Sequence, residues 1–250
     1  MNLKNNLSIS NLQKLNSNSD KIKKFQNKYD LVKSGVKELD KIIGGFKSGE
    51  INFIHGNRES VLYIPYQICV NTYKTYGKNV IYIDGGMSFN PYGIAKYARK
   101  MELDQRDALN HIYISRAFTL FQLTDILQYK LEEKIIECNP KAVIIGKFLD
   151  LYFDSNIKSM ESNVLMRNNL KKIKEITNKY GLVTILSNFD KGIKTQKILK
   201  RVFYENIDQI VKIKQIGRFI IFNFEKKNNK NSLSIIENNQ LSLDDFELAM

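Results

Sequence analysis

Five strand-like runs, the first four each followed by a stretch with helical spacing, constrain this chain more than any other feature of its 250 residues. The runs are INFI (51–54), NVIYID (79–84), IYISRAF (112–118), AVIIGKF (142–148) and LVTILSNF (182–189). Strands apolar on every position are buried on both faces. Strands that alternate with helices connect by right-handed crossovers into a parallel sheet covered on both sides. The intervening segments fit: apolar residues recur at helical spacing over 60–76, 91–101, 120–137 and 164–180, with Pro140 closing the third. Near the end the pattern changes. DQIVKIKQ, GRFIIFNFE and SLSIIE alternate in β fashion without helices, which predicts antiparallel strands extending one edge of the sheet. The expected fold is α/β, one core domain over residues 31–237.

The segments flanking that core differ in composition. Residues 1–30 are rich in Asn, Lys and Ser with only a faint stripe at Leu3, Leu7, Leu12 and Leu15, which reads as a basic flexible arm. In LVKSGVKELDKIIGG, Ser34-Gly35 precedes a short amphipathic helix that Gly44-Gly45 terminates. Residues 238–250 form an acidic tail after a Lys- and Asn-rich stretch. The whole chain carries a formal charge of +13, from 39 Lys and Arg against 26 Asp and Glu. Such a balance favours polyanionic partners, and it is equally the mark of a chain solubilised by lysine. Cys69 and Cys138 stand alone, without CxxC spacing or a neighbouring His pair, so they read as core residues and no metal site is expected. No apolar run reaches the roughly 20 residues that span a bilayer, and no signal-like block opens the chain. A cytoplasmic protein is expected.

The stretch EINFIHGNRESVLY, residues 50–63, has the layout of a phosphate-binding loop: a strand, a tight turn at Gly56, and a helix opened by Ser60. In GxxxxGK[ST] the second Gly lets backbone N–H groups approach phosphate, the Lys neutralises charge and the hydroxyl holds Mg²⁺. Counted from Gly56, those places hold Val61, Leu62 and Tyr63. None can perform the corresponding task, so the chain is expected not to be an NTPase.

The strings SGVKELDKIIGG, YID and SFNPYGIAKYARKMELDQRDALNHIYISRAF closely resemble the ATPase core of the archaeal RadA recombinases, within the RecA superfamily, over about residues 32–225. A KaiC-type relative shares the SG…LD…GG opening but lacks the FxP and RAF signatures. The resemblance implies a RecA-like sheet and, position by position, further losses. Gly86 stands where the family has its catalytic Glu. Gly146, followed by Lys147, stands where an Asp anchors Mg²⁺. Phe189, after Asn188, stands where a Gln links nucleotide state to DNA. Phosphoryl transfer depends on these parts for positioning and charge stabilisation, so their joint absence implies a degenerate, non-catalytic paralog without a cofactor. Asp84 and Arg116, at the ends of the second and third strands, are expected to pair within the fold. Lys147 reads as a solvated strand end that would repel Mg²⁺.

Two segments bear on partners. In the family, the loops after the fourth and fifth strands line the DNA path. The first match, residues 153–161, has only Lys158 as a base, whereas DKGIKTQKILKR carries Lys191, Lys194, Lys197, Lys200 and Arg201, a phosphate-contacting strip or an ordinary solvated face. The tail NQLSLDDFELAM places Gln240, Leu243 and Phe246 in the QxxLxxF pattern of peptides that bind the sliding clamp PCNA, with Glu247 where a second aromatic is usual. Phe246 and Ala249 also fit the FxxA element that docks on RadA. The expected function is that of an accessory or adaptor protein in DNA replication, recombination or repair. It would be tethered through the tail to PCNA first or to RadA second. The alternatives are a nucleotide switch with residual affinity at Gly56, Asn57 and Ser60, and a KaiC-like regulator.

Overall fold

A computed structural model describes residues 31–56, 60–154, 156–190, 197–216, 219–226 and 229–237. The expected arm 1–30, Asn57, Lys191, Lys194 and the tail with Gln240, Leu243, Phe246 and Ala249 lie outside the described residues.

The strands form where the apolar runs place them. They are β1 (Leu31–Val32), β2 (Phe46–Lys47), β3 (Ile51–Gly56), β4 (Val80–Asp84), β5 (Ile112–Arg116), β6 (Ala142–Gly146), β7 (Val183–Phe189), β8 (Gln209–Ile216), β9 (Phe219–Lys226) and β10 (Asn229–Glu237). Between them run α1 (Lys37–Ile43), α2 (Ser60–Tyr76), α3 (Pro91–Lys100), α4 (Gln105–Asn110), α5 (Leu120–Asp125), α6 (Leu131–Cys138), α7 (Ser159–Tyr180) and α8 (Lys197–Glu205). A π-helical turn, Ile126–Lys130, joins α5 to α6, and a 3₁₀ turn, Asp150–Phe153, follows β6.

β1 and β2 pair as a small antiparallel ribbon, and the other eight strands form one sheet in the order β10-β9-β8-β3-β7-β6-β4-β5. Every pairing from β5 across to β8 is parallel, and β8–β9 and β9–β10 are antiparallel. The sheet is therefore the expected mostly parallel α/β one, with one correction. β8, expected among the antiparallel strands, runs parallel to β3. The reason is α8, which carries the chain back across the sheet so that β8 starts from the same end as β3.

Helices cover both faces. Ile54, Tyr82, Ile144, Ile185 and Ile213 pack toward α2 and α3 in one core. On the other face Phe53 meets Phe203 of α8 edge-on at 4.7 Å, and Thr184 hydrogen-bonds Thr177 of α7 at 2.6 Å. Cys69 and Cys138 are buried free thiols, as expected. α7 begins five residues before the expected 164, because Met160 and Val164 in its first turns are exposed and leave no apolar period to read. No helix among the described residues is long and apolar enough to cross a membrane.

One polar clamp holds α6 to α7. Glu132 accepts hydrogen bonds from Lys172 Nζ at 2.7 Å, Lys179 Nζ at 2.8 Å and the Tyr180 hydroxyl at 3.0 Å. The bond from Lys172, then that from Lys179, holds its carboxyl down to about 2. A carboxylate depressed in the folded state stabilises the fold above its unfolded pKa of about 4.3 and loses that contribution as pH falls toward the folded value. Glu132→Gln is expected to lower stability by about 1–2 kcal/mol at neutral pH. The deficit should close between about pH 4.5 and pH 2, measured by urea unfolding across that range. A deficit that stays constant with pH would contradict the clamp.

Candidate functional site

The carboxyl ends of parallel strands are where open α/β sheets hold their ligands, because loops and helix N-termini converge there. In this chain the ends of β3, β4, β6 and β7 bring together the residues singled out in the sequence.

Gly56 closes β3, and Ser60 opens α2, as expected of the strand–loop–helix layout. Val61 is fully buried, and its Cγ2 lies 2.8 Å from the place a Cβ on Gly56 would take, with the Ile213 carbonyl oxygen closer still. A valine methyl thus packs against Gly56 from the position where the motif would have a second glycine. Leu62 follows in the first turn of α2, and Tyr63, half-buried, meets Tyr66 edge-on at 6.3 Å.

At the end of β6, Gly146 faces Tyr82 of the adjacent β4. The Tyr82 hydroxyl lies 2.5 Å from where a Cβ on Gly146 would stand, and its ring atoms Cζ and Cε1 lie at 3.1 and 3.2 Å. Glycine inside a strand often marks such a close approach. Tyr82 is fully buried, packs against Phe89 at 4.9 Å and Tyr66 at 6.0 Å, and its hydroxyl has no hydrogen-bond partner. Its ring therefore fills the volume that the side chain of an acid at position 146 would need.

Gly86 is covered in the same way. A Cβ there would fall 2.9 Å from Cβ of Lys147, and closer to its Cδ. This corrects the reading of Lys147 as a solvated strand end. The side chain folds back over Gly86, with Nζ 3.4 Å from the Gly86 carbonyl oxygen and 5.4 Å from the centre of the Phe189 ring. The two glycines and the lysine are complementary in shape: the alkyl chain of Lys147 lies where a side chain at position 86 would project.

Asp84 and Arg116 pair as expected, Arg116 Nε donating to Asp84 Oδ2 at 3.3 Å. The pair is lopsided, because Asp84 is fully buried and the Arg116 side chain is 43% exposed. Asp84 also accepts from the backbone N–H groups of Gly86 (3.3 Å), Ser88 (3.0 Å) and Phe89 (3.0 Å) and from the Ser88 hydroxyl (3.3 Å). A carboxylate satisfied this fully acts as a cap that fixes the loop after β4. Asn188 does the same between β6 and β7: Nδ2 donates to Asp150 at 3.1 Å, and Oδ1 accepts from the Leu149 N–H at 2.9 Å. Burial pushes the Asp150 carboxyl upward, against the Asn188 hydrogen bond. Among the described residues no group of three or more His, Cys, Asp or Glu is arranged to hold a metal ion.

Of the proposed basic strip, Lys197, Lys200 and Arg201 fall in α8, and Lys191 and Lys194 lie outside the described residues. Arg201 is exposed but pairs with Glu205 at 2.9 Å, so its charge is already partnered.

Residue-by-residue reading missed Tyr82 and the role of Lys147. The available signal was glycine at 146, the last position of an otherwise apolar strand, which calls for a large neighbour close by.

The Rad51 family model matches residues 27–197, more than half of the chain. The DNA repair protein Rad51 homolog of Drosophila melanogaster is 25% identical over 179 residues, covering 66% of this chain and 52% of the relative. The chain thus spans about half the length of that relative. With a mostly parallel sheet bearing its site residues at the strand ends expected of a recombinase core, the chain belongs to the Rad51 family.

Proposed function

We propose that this chain is a nucleotide-independent accessory protein of DNA recombination or repair, a non-catalytic family member that acts as a docking platform. The observation that carries the reading is the filling of three places that phosphoryl transfer needs. Val61 covers Gly56, Tyr82 fills the space at Gly146, and Lys147 fills the space at Gly86. Loss of side chains alone would leave a cavity; here, at Gly146 and Gly86, large residues from other positions, Tyr82 and Lys147, pack where the missing groups would belong. A site occupied by its own side chains must rearrange its core before it admits a nucleotide and Mg²⁺.

The tail is the proposed tether, with PCNA as first partner and a RadA-type recombinase as second. In the PCNA mode Leu243 and Phe246 would enter an apolar pocket together, three residues apart as on one side of a 3₁₀ turn, leaving Gln240 to hydrogen-bond nearby. DNA is a weaker candidate, because Arg201 of the basic strip already has a carboxylate partner. Purified full-length chain tested against purified PCNA and RadA decides the matter. Phe246→Ala should weaken binding to either by at least about thirtyfold, as removal of a buried aromatic anchor does. Gln240→Ala should weaken only PCNA, and Ala249→Glu mainly RadA. If neither protein binds, or binding survives Phe246→Ala, the tether is wrong.

A further inference from the structure

The ammonium of Lys147 occupies an unusual position. Lys147 follows β6 with a left-handed backbone, φ +50°, that side chains rarely adopt. That conformation turns its alkyl chain across Gly86 at the end of β4 and brings Nζ toward the face of Phe189 at the end of β7. Among the described residues it makes no ion pair within 4 Å. Its neighbours are a carbonyl dipole at 3.4 Å and an aromatic face at 5.4 Å, and its charge partly offsets the upward push that burial gives the Asp150 carboxyl. Each neighbour belongs to a different segment: Gly86 to the loop after β4, Asp150 to the turn after β6, Phe189 to β7.

The backbone around the lysine is tied to the same segments. Gly85 N–H donates to the Gly146 carbonyl at 2.9 Å, Phe148 N–H to the Ser187 carbonyl at 3.1 Å, and Asp150 N–H to the Lys147 carbonyl at 3.1 Å. A cation beside a carbonyl oxygen and a π face gains from both.

We propose that Lys147 is a built-in cationic tether. Its ammonium holds the ends of β4, β6 and β7 in one fixed arrangement. The inference deepens the reading of a nucleotide-independent platform and rests on it. If the tether acts, the loop after β4, the turn after β6 and the end of β7 keep one arrangement at all times.

The test is amide hydrogen exchange on the full-length chain without nucleotide, comparing the natural protein with Lys147→Met and Lys147→Ala. Methionine keeps an unbranched chain over Gly86 and removes the charge; alanine removes both. The protected amides of Gly86, Ser88, Phe89, Phe148, Leu149 and Asp150 are the reporters. Lys147→Met should speed their exchange by about tenfold while amides of α4 and β5 keep their rates. Lys147→Ala should speed the same set by at least as much. Unchanged reporters in Lys147→Met would overturn the tether, and so would a uniform rise across the whole sheet, which would make Lys147 ordinary packing. Adding ATP and Mg²⁺ to the natural protein separates the two readings. Slower exchange at these reporters would contradict nucleotide independence, whereas the response to Lys147→Met without nucleotide alone judges the tether.

Discussion

Gly146→Ala is expected to destabilise the protein by about 1–3 kcal/mol, the cost of overpacking a well-filled core. The sign makes this informative. Gly146 has no positive φ, and replacing glycine by alanine in such a conformation ordinarily stabilises by about 0.4–1 kcal/mol through the unfolded chain. Here the new methyl would stand 2.5 Å from the Tyr82 hydroxyl oxygen and 3.1 Å from its Cζ. Tyr82 cannot easily withdraw, because Phe89 and Tyr66 pack against its ring. Tyr82→Phe alone removes a buried hydroxyl that has no partner, so it should be neutral or stabilise by about 1 kcal/mol. In the double variant the closest clash is gone and the ring contacts remain. Part of the Gly146→Ala cost should therefore be recovered, a coupling of about 1 kcal/mol in a double-mutant cycle followed by urea unfolding. A Gly146→Ala variant more stable than the natural protein would show that the tyrosine does not fill that space. Gly146→Asp should be worse than alanine, since it forces a larger and charged group into the space that Tyr82 fills.

The sheet was legible because each strand carries its own signal: runs such as VIYID and AVIIG are buried along their whole length. The helix caps were legible for the same local reason, with Gly44 ending α1 after LDKII. The direction of β8 was not. It depends on α8, which lies in the stretch that charge marks as a basic strip, and charge does not reveal which way the following strand runs. The start of α7 was hidden by exposed Met160 and Val164.

At the candidate site the sequence showed what was missing but not what replaced it. Gly86 and Gly146 stand out when positions are matched one at a time against a working recombinase core. The residue that fills the space at Gly146 is Tyr82, which belongs to another strand, and the pair becomes visible only when β4 and β6 lie side by side with Tyr82 beside Ile144. Lys147 was misread for a related reason: the left-handed turn that folds it back over Gly86 is set by the loop around it.

The second large effect concerns nucleotide. Tight binding of ATP needs open backbone at the phosphate turn, a lysine, and a metal held by a hydroxyl and an acid. Val61 packs against Gly56 at the end of β3, and Leu62, Tyr63 and Gly146 supply neither charge nor metal ligand. On the proposed reading, returning Val61→Gly, Leu62→Lys and Tyr63→Thr together should not restore hydrolysis, because Tyr82 and Lys147 still fill the space at Gly146 and Gly86, the positions proposed for the metal-holding acid and the base. Equilibrium dialysis of the natural full-length chain with ATP and Mg²⁺ tests the filled site most directly. The filled site predicts no saturable binding below about 1 mM, less than about 4 kcal/mol of affinity, whereas saturable binding in the micromolar range would contradict it.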